Sequence, residues 1–228
     1  MNFIVSILLF FSNFVYQTTH TYIMNKELFL DIRKTATVKI NLNNQIEYAN
    51  DYILDLLDYS LLEFVTKPPR IICHDDMPDL IHDIIGSFIM DYKEGIAVLK
   101  HKTKNNDYFW AFTHYKPSYK PDGSFEAFIT RRKPLPTKKL NGTIEDMKYQ
   151  ISKLYKILKD IENHTGAKQA QKYLEGFLEY KGFNTLEDYY MSFFDFSKEE
   201  LEDYFSIDDQ TPEKKIRRFT NYIDIYGN

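Results

Sequence analysis

Residues 96–131 read IAVLKHKTKNNDYFWAFTHYKPSYKPDGSFEAFITR. Three runs in this stretch, Ile96–Lys102, Tyr108–Tyr115 and Phe125–Arg131, are rich in the aliphatic and aromatic residues that suit a pleated, half-buried surface. Asn105-Asn106-Asp107 separates the first two runs and Pro121-Asp122-Gly123 the second two. Asparagine and glycine tolerate the left-handed backbone of a tight turn, and proline presets φ at its start. The stretch therefore predicts three consecutive antiparallel strands.

Upstream, Val38 and Ile40 alternate with polar neighbours, Asn43-Asn44 supplies turn chemistry, and Ile46 and Tyr48 alternate again. That pattern is a β-hairpin. Asn50 to Tyr59 carries Ile53, Leu54, Leu56 and Leu57 on a short helical face, and Pro68-Pro69 breaks the chain. From Asp76 to Asp91, the positions Leu80, Ile81, Ile84, Ile85, Phe88 and Ile89 form the stripe of an amphipathic helix. Two strands, short helices and three strands make an α+β domain over residues 36–136, a five-stranded antiparallel sheet with helices on one face. Residues 24–35 lead into it, and Pro134 and Pro136 end it.

Beyond the prolines, residues 137–228 read as an all-helical region. Ile144, Met147, Ile151, Leu154, Leu158 and Ile161 keep a heptad stripe. About three heptads are weak alone, so the stripe either packs on its own chain or forms a seam with a partner or second copy. Thr185 to Asp188 and Ser197 to Glu200 have capping-box spacing, and Thr211-Pro212 puts proline at a first helical position. The aromatics around them, from Phe183 to Tyr222, read as core, and residues 143–227 predict four or five helices. The apolar run Phe3–Val15 falls short of the roughly 20 residues of a membrane span. It lacks a basic leader, so residues 1–23 stay open between a start at Met24, an anchor or signal, and a packed helix.

A hydrophobic content of 43%, with 16% aromatic, is enough for a packed core and excludes a mainly disordered chain. Net charge is −4 with no strongly basic stretch, which argues against nucleic acid as a partner. One cysteine, Cys73, excludes an internal disulfide and suits a reducing cytoplasm. The glycines form neither a P-loop nor a dinucleotide fingerprint. His74, Asp75 and Asp76, even with His82 and His101, do not spell a metal site, because three consecutive residues cannot all point inward. Cys73 reads as a buried, inert thiol, and the Lys102–Lys104 and Arg131–Lys133 clusters read as solvated strand ends. Nothing points to an enzyme.

Taken in order, four blocks resemble PAS domains of the aerotaxis-receptor type. They are Ile46-Glu-Tyr-Ala-Asn50 with Asp58-Tyr59-Ser60, then Ile72-Cys-His74-Asp-Asp76-Met-Pro78, then Lys100 to Trp110, then Arg131-Arg-Lys-Pro134. They extend over about 100 residues at matching spacing. The resemblance implies a cytoplasmic sensory protein that binds FAD non-covalently and relays redox state by contact with a chemotaxis transducer or other signalling protein. It places His74 and Asp76 near the flavin and Asn50 at the pocket, with His101 and Trp110 completing the cofactor-binding set. It leaves room for a homodimer through helix 143–162 or the sheet, and for membrane contact only if residues 1–23 are retained. The sequence departs from that pattern at Cys73, where the family has Arg, and at His101, where it has Asn. Gly86 and Gly95 fall where the family has two tryptophans. The rival expectation is a non-sensing adaptor with a degenerate, cofactor-free pocket.

Overall fold

The structure is a computed structural model that describes residues 25–137 and 139–206. The expectations for residues 1–23, for Thr211-Pro212 and for Phe219 and Tyr222 lie outside the described residues. Strands β1 (Ala36–Ile40) and β2 (Ile46–Ala49) form the hairpin. Its turn closes with Asn44 at φ 56° and with the Asn41 side chain accepting from the backbone N–H groups of Asn43 and Gln45. Helix α1 (Asp51–Leu57) starts at Asn50, whose Oδ1 accepts from the Ile53 N–H. Helix α2 (Leu61–Phe64) starts in a full capping box between Ser60 and Glu63. After a turn of 3-10 helix at Pro69–Ile72 comes α3 (Asp79–Met90), then β3 (Gly95–Lys102), β4 (Tyr108–Tyr119) and β5 (Phe125–Lys133).

The five strands form one sheet in the order β2-β1-β5-β4-β3, antiparallel throughout. Asn106 (φ 66°) and Gly123 (φ 81°) take the left-handed turn positions expected of them. Strand β4 runs four residues past the predicted end, through Pro117 to Tyr119. Proline is tolerated there because β3 stops pairing at Gly95 opposite Tyr115, so no ladder bond is lost on that side.

Side chains alternate between two faces with period two. On the inner face, Val38, Ile40, Ile46, Phe109, Ala111 and Phe128 pack with Ile53, Leu57, Phe64 and Ile72 in one hydrophobic cluster. The outer face is covered by the C-terminal helices α4 (Ile144–Thr165), α5 (Ala167–Lys181), α6 (Leu186–Met191) and α7 (Lys198–Ser206). Trp110 stacks on Tyr155, and Phe112 meets Phe194 and Phe205 with ring centroids 5.0 and 5.3 Å apart. The Tyr155 hydroxyl donates to the Val98 carbonyl at 2.6 Å. Helices thus lie on both faces of the sheet, because the outer face carries large apolar residues that only the tail can cover.

This packing decides between the two readings of the heptad stripe and corrects part of another expectation. The heptad stripe is spent within the chain: Met147, Ile151, Leu154 and Leu158 are all buried in the cluster that includes the sheet's outer face. Helix 143–162 is therefore not a free dimer seam, and the outer face of the sheet is not a free interface. The strand-end charges are solvated only in part: Lys104 is exposed, and Lys102 and Arg131 are half-buried. Arg132 and Lys133 are buried, and the Lys133 ammonium donates to the Ile32 carbonyl in the lead-in.

Candidate functional site

Between α3 and the inner face of the sheet lies a cavity of about 630 Å³. That volume is in the range of small-molecule sites. Ile85 and Ile89 from α3, Ile40 from β1 and Leu99 from β3 give it apolar walls. Cys73, His82, His101, Tyr115 and Arg132 supply the polar groups. The register explains the grouping. Tyr115 pairs with Thr130, and Thr113 with Arg132, so alternation along β5 sends Phe128, Thr130 and Arg132 to the same inner face as Phe109 and Tyr115.

Arg132 is 3% exposed. Its Nε donates to His101 Nε2 at 3.2 Å, and its Nη1 donates to Thr130 Oγ1 at 2.8 Å. Because His101 accepts at Nε2, its neutral ring carries the proton on Nδ1. Burial, with the guanidinium beside it, holds His101 well below the ordinary histidine range. Burial likewise lowers His82 to about 4 and raises the Cys73 thiol to about 11. Cys73 Sγ lies 3.6 Å from His82 Nδ1, so the pair is a neutral thiol against a neutral imidazole. Burial also pushes the Tyr115 phenol upward. The floor of the cavity is therefore one cation among neutral polar groups.

The five residues expected from the resemblance separate into three places. His101 lines the cavity. Asn50 does not: its Oδ1 accepts from the Thr37 and Ile53 N–H groups, and its Nδ2 donates to the Thr35 carbonyl at 2.7 Å. It is a buried bracket that ties β1 to the start of α1. His74 and Asp76 lie on the opposite side of the sheet edge. The segment after Ile72 runs beside β3, with Cys73 bridged to His101 and the His74 N–H donating to the Lys100 carbonyl at 3.3 Å. Consecutive residues of an extended segment point to opposite sides, so Cys73 faces in and His74 faces out.

There Lys100 bonds Asp76 at 2.6 Å and sits 4.3 Å from the centroid of the Tyr108 ring, which His74 meets edge-on. The backbone N–H of Asp76 donates to His74 Nδ1 at 3.1 Å. Desolvation and the Lys100 charge lower the His74 pKa. Asp76 and Trp110 line a second hollow of about 490 Å³, against Tyr155 and Lys159 of α4. Asn50, His74, Asp76 and Trp110 thus do not close around one ring system with His101, and as a set they do not fit a flavin. No group of three or more His, Cys, Asp or Glu side chains among the described residues is placed to hold a metal ion.

Gly86 lines the cavity, and Gly95 lies outside it. A Cβ at Gly86 would meet nothing within 4 Å, so the missing side chain leaves open space in the α3 wall. At Gly95 a Cβ would lie 3.0 Å from Phe88 Cδ2, so the phenylalanine of α3 occupies the room a larger residue would take. Sequence reasoning passed over Arg132 and Tyr115, and it expected Cys73 to be buried without placing it on a cavity. The period-two alternation of β5, counted back from Phe128, is the signal that could have found Arg132.

No family model matches the chain. The aerotaxis receptor of Escherichia coli (strain K12) is 22% identical over 115 residues, which cover 50% of this chain and 22% of that receptor. Among solved structures, the light-state LOV domain of the blue-light photoreceptor Aureochrome1 has 16% identity and a TM-score of 0.44 over 52% of this chain and 89% of that one. A PAS domain from Colwellia psychrerythraea has 15% identity and a TM-score of 0.40 over 44% and 86%. The strand order 2-1-5-4-3, with its helices inserted between β2 and β3, is the arrangement of a PAS domain. The domain is PAS-like. In this PAS-like domain the cavity sits between the inserted helices and the inner sheet face, and the tail closes over the outer face.

The cavity is linked to that tail. Helix α3 follows Pro78, which provides no side-chain cap. Its first N–H groups, on Asp79 and Leu80, instead donate to the carboxylate of Glu162 in α4, at 2.9 and 2.6 Å. Lys159 adds an ion pair to Asp79 at 3.7 Å. One element therefore both walls the cavity and ends on the C-terminal region. No helix among the described residues is long and apolar enough to cross a membrane.

Proposed function

We propose that the protein is a sensory signal-transduction module. In this reading the cavity beneath α3 takes a small molecule, and α3 passes the bound state to the C-terminal helices, which present it to a signalling partner. The observation that carries it is the capping of α3 by Glu162, because the wall of the cavity and the end of α4 share two hydrogen bonds. A ligand that favours one placement of α3 would favour one placement of α4, and only such differential affinity shifts a two-state equilibrium. The partner of the resemblance, a chemotaxis transducer, is the first candidate to test, and its flavin is a candidate only through the lining of the cavity itself, since four of the five expected residues lie elsewhere. Signalling rather than catalysis is the role assigned, in the cytoplasm.

The test is direct. Full-length protein purified under native conditions is examined for the absorption bands of oxidised flavin and, by native mass spectrometry, for any bound small molecule. Hydrogen exchange is then compared with and without that molecule. Slower exchange in both α3 and α4 supports the reading. A ligand that changes α3 and leaves α4 untouched refutes the relay. A second reading, the cofactor-free adaptor, is favoured by the dispersal of the four residues around the sheet. It would be selected by a protein that binds no small molecule yet still captures a transducer.

A further inference from the structure

The cation on the cavity floor has no counter-charge. Two other shielded cations are matched by carboxylates, Lys39 by Glu126 at 2.8 Å and Lys100 by Asp76 at 2.6 Å, and the buried Lys133 donates to the Ile32 carbonyl. Arg132 is more deeply buried than either, yet its hydrogen bonds go to a neutral imidazole and a neutral hydroxyl, and it makes no ion pair among the described residues. The acidic groups that act on it are the Tyr115 phenol and the Cys73 thiol, both held uncharged by burial. Burying a guanidinium without an anion is costly, and replacing it with an apolar residue is the cheaper solution for a core. Among the described residues Nε and Nη1 have acceptors and Nη2 has none, and Arg132 lines the wall of the cavity.

We propose that the cavity binds a small organic acid with an apolar body, its carboxylate seated on the Arg132 guanidinium. The N–H donors of Nη2 can meet a carboxylate oxygen, and the burial of the guanidinium strengthens a charge-assisted bond to it. The apolar walls formed by Ile85, Ile89 and Leu99 select a hydrophobic body. At the exposed mouth Asp83 and Asp91 stand with Arg70, Asp91 being paired to Lys93 and Arg70 to Asp79. The buried charge a ligand must answer is that of Arg132 alone, which calls for a single carboxylate. This inference rests on the sensory-pocket reading above and names the ligand class of that same pocket.

The test uses the full chain and three probes: 2-naphthoate, decanoate and the neutral 2-naphthamide. Binding is followed by calorimetry and by thermal shift. The wild type should bind naphthoate at least about 30-fold more tightly than naphthamide, as expected for a buried charge pair. Arg132→Met should erase that preference, and Gly86→Phe, which fills the open space in α3, should weaken both probes. Far-ultraviolet circular dichroism checks that each variant folds. Should Arg132→Met fail to fold, the acid-to-amide ratio on wild type and the Gly86→Phe result still decide the matter. Equal binding of acid and amide, abolished by Gly86→Phe, overturns the carboxylate claim and leaves the pocket intact. Binding of neither acid at millimolar concentration overturns the claim outright. Tight acid binding that Gly86→Phe does not touch places the site elsewhere and sinks the pocket reading as well.

Discussion

Removing the carboxylate of Glu162 should loosen the wall of the cavity from a helix that does not itself line it. Glu162 accepts from the N–H groups of Asp79 and Leu80, the first two of α3, and Pro78 gives no substitute cap. In Glu162→Ala the Asp79 N–H is exposed and finds water. The Leu80 N–H belongs to a residue only 6% exposed and finds it less readily. Losing a cap typically costs about 1 kcal/mol, and an N–H bond to a charged acceptor is worth about 1.5–3 kcal/mol. Weighting the buried bond fully and the exposed one lightly gives about 2 kcal/mol. At roughly 2–4 °C per kcal/mol for a domain of this size, Tm should fall by about 4–8 °C. Glu162→Gln keeps an acceptor and should lose about half as much. Urea unfolding measures the total, and amide exchange at Asp79 and Leu80 localises it. An equivalent change at the exposed Glu179 of α5 serves as control and should stay within about 0.5 kcal/mol. If Glu162→Ala matches that control and the two amides keep their protection, α3 is not held by α4, and the relay has no physical basis.

Gly86→Ala should stabilise the ligand-free protein by about 1 kcal/mol, because alanine suits a helix interior better and its Cβ meets nothing within 4 Å; a drop in Tm would show that the cavity wall is tighter than its geometry. Cys73, with its thiol pushed up to about 11, should react with iodoacetamide at pH 8 roughly two orders of magnitude more slowly than an ordinary thiol, and a glutathione-like rate would contradict its burial. Together with the buried His101, His82 contributes to the acid sensitivity. Its folded pKa of about 4 lies below the unfolded value near 6.5, so the unfolded chain binds more protons as pH falls. Its contribution is complete above about pH 6.5 and is lost down to about pH 4, up to roughly 3 kcal/mol. His82→Gln should flatten the stability profile in that window, and an unchanged slope would reassign the effect.

The sheet was legible because each of its turns carries its own chemistry: Asn44, Asn106 and Gly123 all take positive φ where the sequence places a turn. The capping boxes at Ser60 and Thr185 and the reciprocal bonds between Ser197 and Glu200 are local for the same reason. Only the first of these was hidden, behind the longer helix expected from Asn50 to Tyr59. The candidate site was less legible, because it depends on facing. Asn50 sits in a matching motif, but as the residue before α1 its amide is consumed by capping, a role that Asn preceding Asp51 already suggests. His74 and Cys73 differ by one position and therefore by a whole face. Arg132 was grouped with neighbouring charges as a solvated end, because a run of Arg-Arg-Lys looks polar until the pairing of Thr113 with Arg132 fixes which side chains turn inward.

The same facing argument constrains how a signal leaves the molecule. A PAS-like sheet with a bare outer face can dock a partner there, but here Trp110, Phe112 and His114 are buried beneath Tyr155, Phe194 and Phe205. A partner that used that face would first have to displace the tail, exposing several large aromatic side chains at about 1.5–3 kcal/mol each. The lower-cost route keeps the tail in place and moves it slightly. Glu162 and Lys159 project from one end of α4 onto Asp79, while the middle of the helix is anchored to β3 by the Tyr155 hydroxyl. On the proposed reading, a shift of α3 when the cavity fills would act on the C-terminal end of α4, beside its junction with α5. The readout surface would then be the solvent-facing sides of α4 and α5, where Tyr149 and Tyr173 are exposed, and not the sheet.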